Sequence, residues 1–138
     1  MSGREPNWTR IVIAGFSQGA GMAAYIAKLE RVQRVVLFSS PWDYWGNKDR
    51  LAPWLAQPTA TPPDRWFAGY HREERTATSI AQAYRLLGIP PENVLVFDHK
   101  LTDQHHKSGK ADAYHLSTTH DTSYIPEWRT LVGRPPSG

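Results

Sequence analysis

Four short apolar runs, separated by longer polar or mixed stretches, dominate the hydrophobic pattern of this 138-residue chain. They are residues 10–14, 35–39, 65–70 and 94–97. Their β-branched and aromatic residues are typical of strands that are buried on both faces of a parallel sheet. Because parallel strands need crossover connections, which are nearly always right-handed, strand-helix-strand units are expected. The pattern predicts an α/β fold with a mostly parallel sheet of about four strands flanked by helices.

Three segments outside these runs carry apolar residues at helical spacing. In the first, directly after the first strand, the predicted buried stripe consists of Met22, Ala23, Ile26, Ala27 and Leu29. The second is predicted to begin at a capping box between Ser79 and Gln82 and to stop at Gly88. The third, residues 124–132, suits a last amphipathic helix, and residues 115–121 are interpreted as the loop before it.

The turn between the first strand and the first helix reads Gly15-Phe16-Ser17-Gln18-Gly19. This matches the G-x-S-x-G pattern of the nucleophile elbow, in which a strained strand-to-helix turn exposes a serine hydroxyl. A side chain two residues before or after the serine would collide with neighbouring backbone, so glycine is expected at both positions. The pattern arises by chance in roughly one chain in twenty of this length and is weak evidence alone, but the strand before it and the helix after it make Ser17 a candidate nucleophile.

A serine hydroxyl needs a base to take its proton, and an imidazole base needs a carboxylate that fixes its tautomer. His120 lies before the last predicted helix and is the candidate base. Two carboxylates, Glu73 and Glu74, follow the third strand, and Asp43 follows the second, at the sheet edge where α/β proteins bind ligands. Each also has a plain structural interpretation: a turn or helix cap for Asp43, and solvated ion pairs with nearby arginines for the glutamates.

Composition and charge exclude or disfavour several classes of function. The net charge is only +3 and the 16 basic residues are scattered, which disfavours nucleic-acid binding. The absence of cysteine excludes disulfides and thiolate chemistry, and His99, His105 and His106 lack the spacing of a metal site. No apolar run reaches the ~18 residues of a membrane span, and no signal-peptide pattern precedes the first strand. We expect a single domain over residues 1–138 that needs no cofactor; its native compartment stays open.

The segments IVIAGFSQGAGMAAYIAK, VVLFSSPWD, WFAGYHREE and THDTSYIPEW make residues 8–133 resemble the C-terminal half of a bacterial esterase-like α/β-hydrolase. The order serine, acid, histidine is also the order found in that fold. The resemblance implies a serine hydrolase that acts on small-molecule carboxylic esters through an acyl-enzyme. It implies Ser17 as nucleophile, His120 as general base and the backbone N–H of Gln18 in the oxyanion hole.

The resemblance also assigns the acid and indicates what is missing. The family places its acid at a strand-end H-x-x-D motif, and residues 71–74 read HREE, which implies Glu74 as first choice and Glu73 as second. In this family several strands, and a loop with the second oxyanion donor, precede the elbow strand. We therefore expect a partial α/β-hydrolase fold from a longer enzyme or, alternatively, an inactive fragment that associates through an exposed sheet edge. The residues expected to wall a pocket, or to serve in ordinary packing, are Trp42, Tyr44, Trp45 and Trp54.

Overall fold

The computed structural model describes residues 4–45, 50–101 and 113–133 of the chain. The strands in these residues are β1 (Val12–Phe16), β2 (Arg34–Phe38), β3 (Tyr44–Trp45), β4 (Arg50–Leu51), β5 (Trp66–His71) and β6 (Val94–Phe97). One sheet has the order β1-β2-β5-β6, with each neighbouring pair parallel, and β3 and β4 form a short antiparallel ribbon. The helices are α1 (Gln18–Leu29), α2 (Ala77–Leu86), α3 (Ala113–His120) and α4 (Ile125–Val132).

All four predicted strands are present, and the predicted α/β class with a mostly parallel sheet flanked by helices is confirmed. The strand at residues 94–97 has the predicted bounds, and the others lie within two residues of them. β1 starts later than predicted because Trp8–Arg10 form a 3-10 turn before it. β2 is deeply buried, and Val35, Val36 and Leu37 have no solvent exposure, as expected for a strand covered on both faces.

Helix α1 packs on β1 and β2 through a face of small residues. Its buried residues are Ala20, Ala23, Ala24 and Ala27. The predicted stripe is right at Ala23 and Ala27 but wrong at Met22 and Leu29, which are 63% and 64% exposed. Because alanine occupies positions three and four apart on one face, the helix can approach the sheet closely, and the larger apolar residues are directed elsewhere.

Helix α2 begins before the predicted capping box. Its first residue is Ala77, with Thr76 at the N-cap, so Ser79 lies inside the first turn. The Ser79 hydroxyl accepts a hydrogen bond from the Tyr44 hydroxyl at 2.6 Å instead of capping the helix. The capping-box prediction is therefore wrong, because the turn after β5 has already closed, with the Ala77 N–H donating to the Glu74 carbonyl at 3.1 Å.

The segment interpreted as a loop at residues 115–121 is helical up to His120. Ser117 and Thr118 are buried in α3. The Ser117 hydroxyl donates to the Tyr114 carbonyl at 2.7 Å, and Thr118 Oγ1 lies 3.1 Å from the His115 carbonyl oxygen. Such bonds satisfy polar side chains in a segment whose residues have only modest helix propensity. Tertiary packing therefore decides the conformation here.

The sheet is covered on both faces. On one face, α1 and α2 pack around Leu37 and Trp66, and on the other, Val36, Phe97 and Leu131 form a smaller core with α4. At the side of the sheet, β1 is an edge strand in the described part of the chain. Within these residues, no helix has the length and apolar character required to cross a membrane.

Candidate functional site

Ser17 is held at the junction of β1 and α1. Its backbone has φ 57° and ψ −125°, a combination that residues with a side chain keep only where the surroundings enforce it. The Ser17 N–H donates to the carbonyl of Phe38 at the end of β2, at 3.0 Å, which ties the turn to the neighbouring strand. Ser17 therefore lies at the carboxyl edge of the sheet, where open α/β sheets bind ligands.

The two glycines around Ser17 differ in their steric surroundings. A Cβ on Gly15 would lie 2.1 Å from the carbonyl oxygen of Gly19 and 2.6 Å from the backbone nitrogen of Ala20. A Cβ on Gly19 would meet nothing within 4 Å. The predicted steric requirement is therefore confirmed at Gly15 and wrong at Gly19, because the second residue of α1 faces open space at this point.

We expect Gly15→Ala and Gly19→Ala to change stability in opposite directions. The first forces β1 and α1 apart and should lower the free energy of unfolding by about 3 kcal/mol or more. The second adds a good helix former at an unobstructed position and should raise it by up to ~1 kcal/mol. Urea unfolding of both variants measures the difference in free energy of unfolding. Equal destabilisation by the two substitutions would show that the steric clash is not specific to Gly15.

His115 lies against Ser17. Its Nε2 is 2.9 Å from Ser17 Oγ, and its Nδ1 is 2.7 Å from Glu74 Oε1. The imidazole packs against Phe16 and Trp42 with ring centroids 4.8 and 5.1 Å away, and only 17% of the side chain is exposed. Because an ionised carboxylate can only accept, Nδ1 carries the hydrogen and Nε2 faces the serine hydroxyl as an acceptor. In this orientation the ring is suited to take the proton from Ser17 Oγ.

Glu74 is held by several donors at once. It follows β5, and its side chain has no exposed surface. Oε2 accepts from the His71 N–H at 2.7 Å and from the Ser39 hydroxyl at 3.0 Å, while Oε1 faces His115. These donors compensate for the burial of a charged group. The structure thus brings Ser17, His115 and Glu74 into one chain of hydrogen bonds.

Tyr84 supports the ends of β2 and β5 near this chain of bonds. Its buried hydroxyl donates to the Gly69 carbonyl at 3.2 Å and accepts from the Ser40 N–H at 3.5 Å. Burial raises the pKa of the Tyr84 phenol, and the charge of Glu74 adds to the rise. The hydroxyl therefore stays protonated and serves as a donor to the backbone.

His120, which we expected beside Ser17, occupies a different position. It is exposed at the end of α3, and its Nδ1 lies 2.9 Å from the Leu116 carbonyl oxygen. Its ring lies edge-on to Phe16 with centroids 6.1 Å apart, whereas the His115 ring lies 4.8 Å from Phe16 and its Nε2 reaches Ser17. The expectation for His120 is therefore corrected, since the imidazole that meets Ser17 belongs to His115.

The two remaining candidate carboxylates make other contacts. The Glu73 side chain is 56% exposed and lies 3.6 Å from the guanidinium of Arg72. Asp43 accepts from the indole N–H of Trp54 at 2.6 Å, and its carbonyl accepts from the Ala52 N–H at 2.7 Å. Both therefore fit their plain structural interpretations, a solvated ion pair for Glu73 and a turn-stabilising residue for Asp43.

His99 is one of the three histidines that were considered for metal binding, and it lies in the described part of the chain. Its ring stacks on Tyr124 with centroids 4.5 Å apart, and its Nδ1 is 2.9 Å from Ser123 Oγ. His105 and His106 lie outside the described residues. The contacts of His99 are thus aromatic packing and a serine hydroxyl.

A cavity of about 890 Å³ includes Ser17 in its lining. Apolar parts of its wall come from Met22, Tyr25, Pro41, Trp42 and Trp54. The expected aromatic wall is confirmed for Trp42, Tyr44 and Trp54, while the side chain of Trp45 lies outside the described part of the structure. The exposed Met22 and Tyr25 of α1 therefore line the cavity instead of the core.

Helix α1 begins at Gln18, directly after Ser17. The N–H groups of a first helical turn lack partners within the helix, and a helix N-terminus carries a partial positive charge. Gln18 also lines the cavity. Donors suited to a developing negative charge therefore lie beside the Ser17 hydroxyl.

Comparisons with protein-family models, curated proteins and solved structures found no match to this chain. The resemblance to α/β-hydrolases thus has no further support from relatives. The functional interpretation depends on the geometry around Ser17.

Proposed function

We propose that the chain is a serine hydrolase that cleaves carboxylic esters, built on a partial α/β-hydrolase fold. The observation that carries this proposal is the continuous chain of hydrogen bonds from Ser17 Oγ through His115 to the buried Glu74. Serine, imidazole and carboxylate in this arrangement activate the hydroxyl as a nucleophile on unrelated folds, so the geometry supports the function without a relative. The strained turn at Ser17 and the order serine, acid, histidine also fit the α/β-hydrolase pattern.

In the proposed first half-reaction, Ser17 Oγ attacks the ester carbonyl carbon while His115 Nε2 takes the hydroxyl proton. Glu74 stabilises the resulting imidazolium through the hydrogen bond at Nδ1. When the tetrahedral intermediate collapses, this proton goes to the leaving alcohol and the acyl group stays on Ser17. Water then attacks the acyl carbon and gives a proton to His115, which returns it to Ser17 Oγ as the carboxylic acid leaves.

The oxygen that becomes negative in each intermediate would be stabilised at the N-terminus of α1. The backbone N–H of Gln18 is the proposed first donor, and one such donor can contribute ~10²–10³-fold in rate. The alkyl or aryl group of the ester would lie on the apolar cavity wall around Trp42 and Trp54. The proposed substrate is therefore a small ester with an apolar group.

We expect a fluorophosphonate probe to form a single adduct on the full chain, at Ser17 Oγ, because such probes react with serines activated by a base. Intact-protein and peptide mass spectrometry measure the stoichiometry and the position. Ser17→Ala should abolish the adduct. Ser123→Ala, which removes a hydroxyl 2.9 Å from His99, should retain it. An unlabelled native chain, or an adduct on another serine, would overturn the proposed function.

A second candidate function is favoured by the edge strand. β1 has a strand neighbour on one side in the described residues, and Val12 in this strand is 43% exposed. Exposed edges can pair with a strand of another chain, so an inactive binding module would use this edge. Size-exclusion chromatography combined with labelling separates the two candidates. A monomer labelled at Ser17 supports the hydrolase, and an unreactive dimer supports the binding module.

A further inference from the structure

We infer that Thr118 and Ser39 form a hydroxyl relay that positions the acid and the base of the site; this inference rests on the proposed hydrolase function. Ser39 Oγ lies 3.0 Å from Glu74 Oε2 and 2.8 Å from Thr118 Oγ1. Ser39 and Thr118 have no solvent exposure. Both act through Glu74 and His115, so they are positioning residues and not catalytic residues.

The direction of the relay follows from counting hydrogens. Each hydroxyl has one hydrogen, and an ionised carboxylate can only accept. Ser39 therefore gives its hydrogen to Glu74, and in the 2.8 Å contact Thr118 is the donor and Ser39 the acceptor. The competing acceptor for Thr118, the His115 carbonyl, is farther away at 3.1 Å. Hydrogen bonds in series strengthen one another in a buried site, so Thr118 strengthens the bond from Ser39 to Glu74.

The relay closes a ring between the sheet and α3. Thr118 and His115 are three residues apart on this helix and are therefore neighbours on its surface. His115 contacts Oε1 of Glu74, and the relay reaches Oε2, so both carboxylate oxygens are connected to α3. A rotation or shift of α3 against the sheet would disturb both connections. The relay thus fixes the helical turn that presents His115 to Ser17.

The backbone of Ser39 supports this assignment. Ser39 has φ 57°, although it is fully buried and is not glycine. Its N–H donates to the Gly69 carbonyl at 2.9 Å, which anchors the residue between the ends of β2 and β5. Such a conformation persists where the surroundings enforce it, often at functional sites. The contacts with Glu74 and Thr118 give a physical reason for a serine at this position.

Thr118→Val, which replaces the hydroxyl by a methyl group of similar size, tests the relay in the full chain. We expect the second-order rate constant of fluorophosphonate labelling to fall about 10- to 100-fold, because a small misplacement of reacting groups has effects of this size. Thr118→Ser should restore most of the rate. Ser117→Ala is the matched control, since the Ser117 hydroxyl donates to the Tyr114 carbonyl within the same helix, and should leave the rate unchanged.

A second readout does not need reactivity. The proton on His115 Nδ1, held at 2.7 Å from Glu74, should give a low-field proton NMR signal that Thr118→Val and Ser39→Ala shift or broaden and Ser117→Ala leaves in place. If both the labelling rate and this signal are native in Thr118→Val, the relay is refuted while the hydrolase proposal stands. If the native chain is not labelled at Ser17, the hydrolase proposal fails, and the NMR signal alone decides whether the relay holds His115.

Discussion

His115→Gln should lower the rate of ester hydrolysis by at least ~10³-fold, whereas His120→Gln should leave it near the native value. Glutamine keeps a polar side chain of similar reach, but it cannot accept a proton from Ser17 at neutral pH. The Nε2 of His115 is 2.9 Å from Ser17 Oγ, while His120 contacts the Leu116 carbonyl at the exposed end of α3. Hydrolysis of a p-nitrophenyl ester by the purified full-length chain measures both effects.

The two substitutions lie on the same helix, so each controls for general damage to α3. Circular dichroism and the midpoint of urea unfolding should be compared for both variants before their rates are interpreted. A large loss in His120→Gln together with a native rate in His115→Gln would show that the base has been assigned to the wrong residue.

The sheet and the strand-to-helix turn at Ser17 could be predicted from the sequence because local signals determine both. Each strand is a short, continuous apolar run, and burial on both faces requires this composition. The turn at Ser17 combines such a run with Gly15, where the backbone of Gly19 excludes a Cβ, and with a helix that starts directly afterwards. The predicted buried stripe of α1 is wrong at Met22 and Leu29 for a simple reason. Large apolar residues were assigned to the core, but the core face of α1 is alanine, and Met22 lines the cavity.

The histidine that contacts Ser17 could not be predicted because α3 is not marked by a local signal. Its residues Ala113–His120 include serine, two threonines and two histidines, without a clear apolar period. The segment is helical because Ser117 and Thr118 are buried against the sheet and their hydroxyls are satisfied there. Once the segment is helical, His115 and Thr118 are neighbours on one side of α3, whereas His120 is exposed at its end. Which histidine contacts Ser17 therefore depends on tertiary structure.

Glu74 was among the candidates from the sequence, whereas Ser39, which contacts it, was not. The resemblance of residues 71–74 to an H-x-x-D motif implies Glu74 as first choice, and the structure places this residue at His115. Ser39 is the last residue of the second predicted strand, residues 35–39, and no local signal marks it as part of the site. The pairing of β2 with β5 brings the ends of these strands together, and this pairing connects Ser39 with Glu74. Strand order in a sheet is a long-range property, so residues at neighbouring strand ends are informative only when that order is known.

Glu74→Gln should lower the rate of ester hydrolysis by ~10³–10⁴-fold, although glutamine has nearly the same shape as glutamate. The His71 N–H and the Ser39 hydroxyl both donate to one oxygen of Glu74, at 2.7 and 3.0 Å, so the amide oxygen of glutamine will take that position. Its NH₂ group then faces His115 Nδ1, which must become an acceptor. The hydrogen of the neutral imidazole moves to Nε2, and this nitrogen can no longer accept the Ser17 proton.

Glu73→Gln is the matched control, because it makes the same chemical change one residue earlier in an exposed ion pair with Arg72 and should leave the rate unchanged. We also expect Glu74→Gln to retain the native free energy of unfolding to within ~1–2 kcal/mol, since the donors to Glu74 stay satisfied. Histidine nitrogen chemical shifts report the tautomer of His115 directly. A native rate in Glu74→Gln with the hydrogen still on Nδ1 would show that the carboxylate does not set the tautomer of His115.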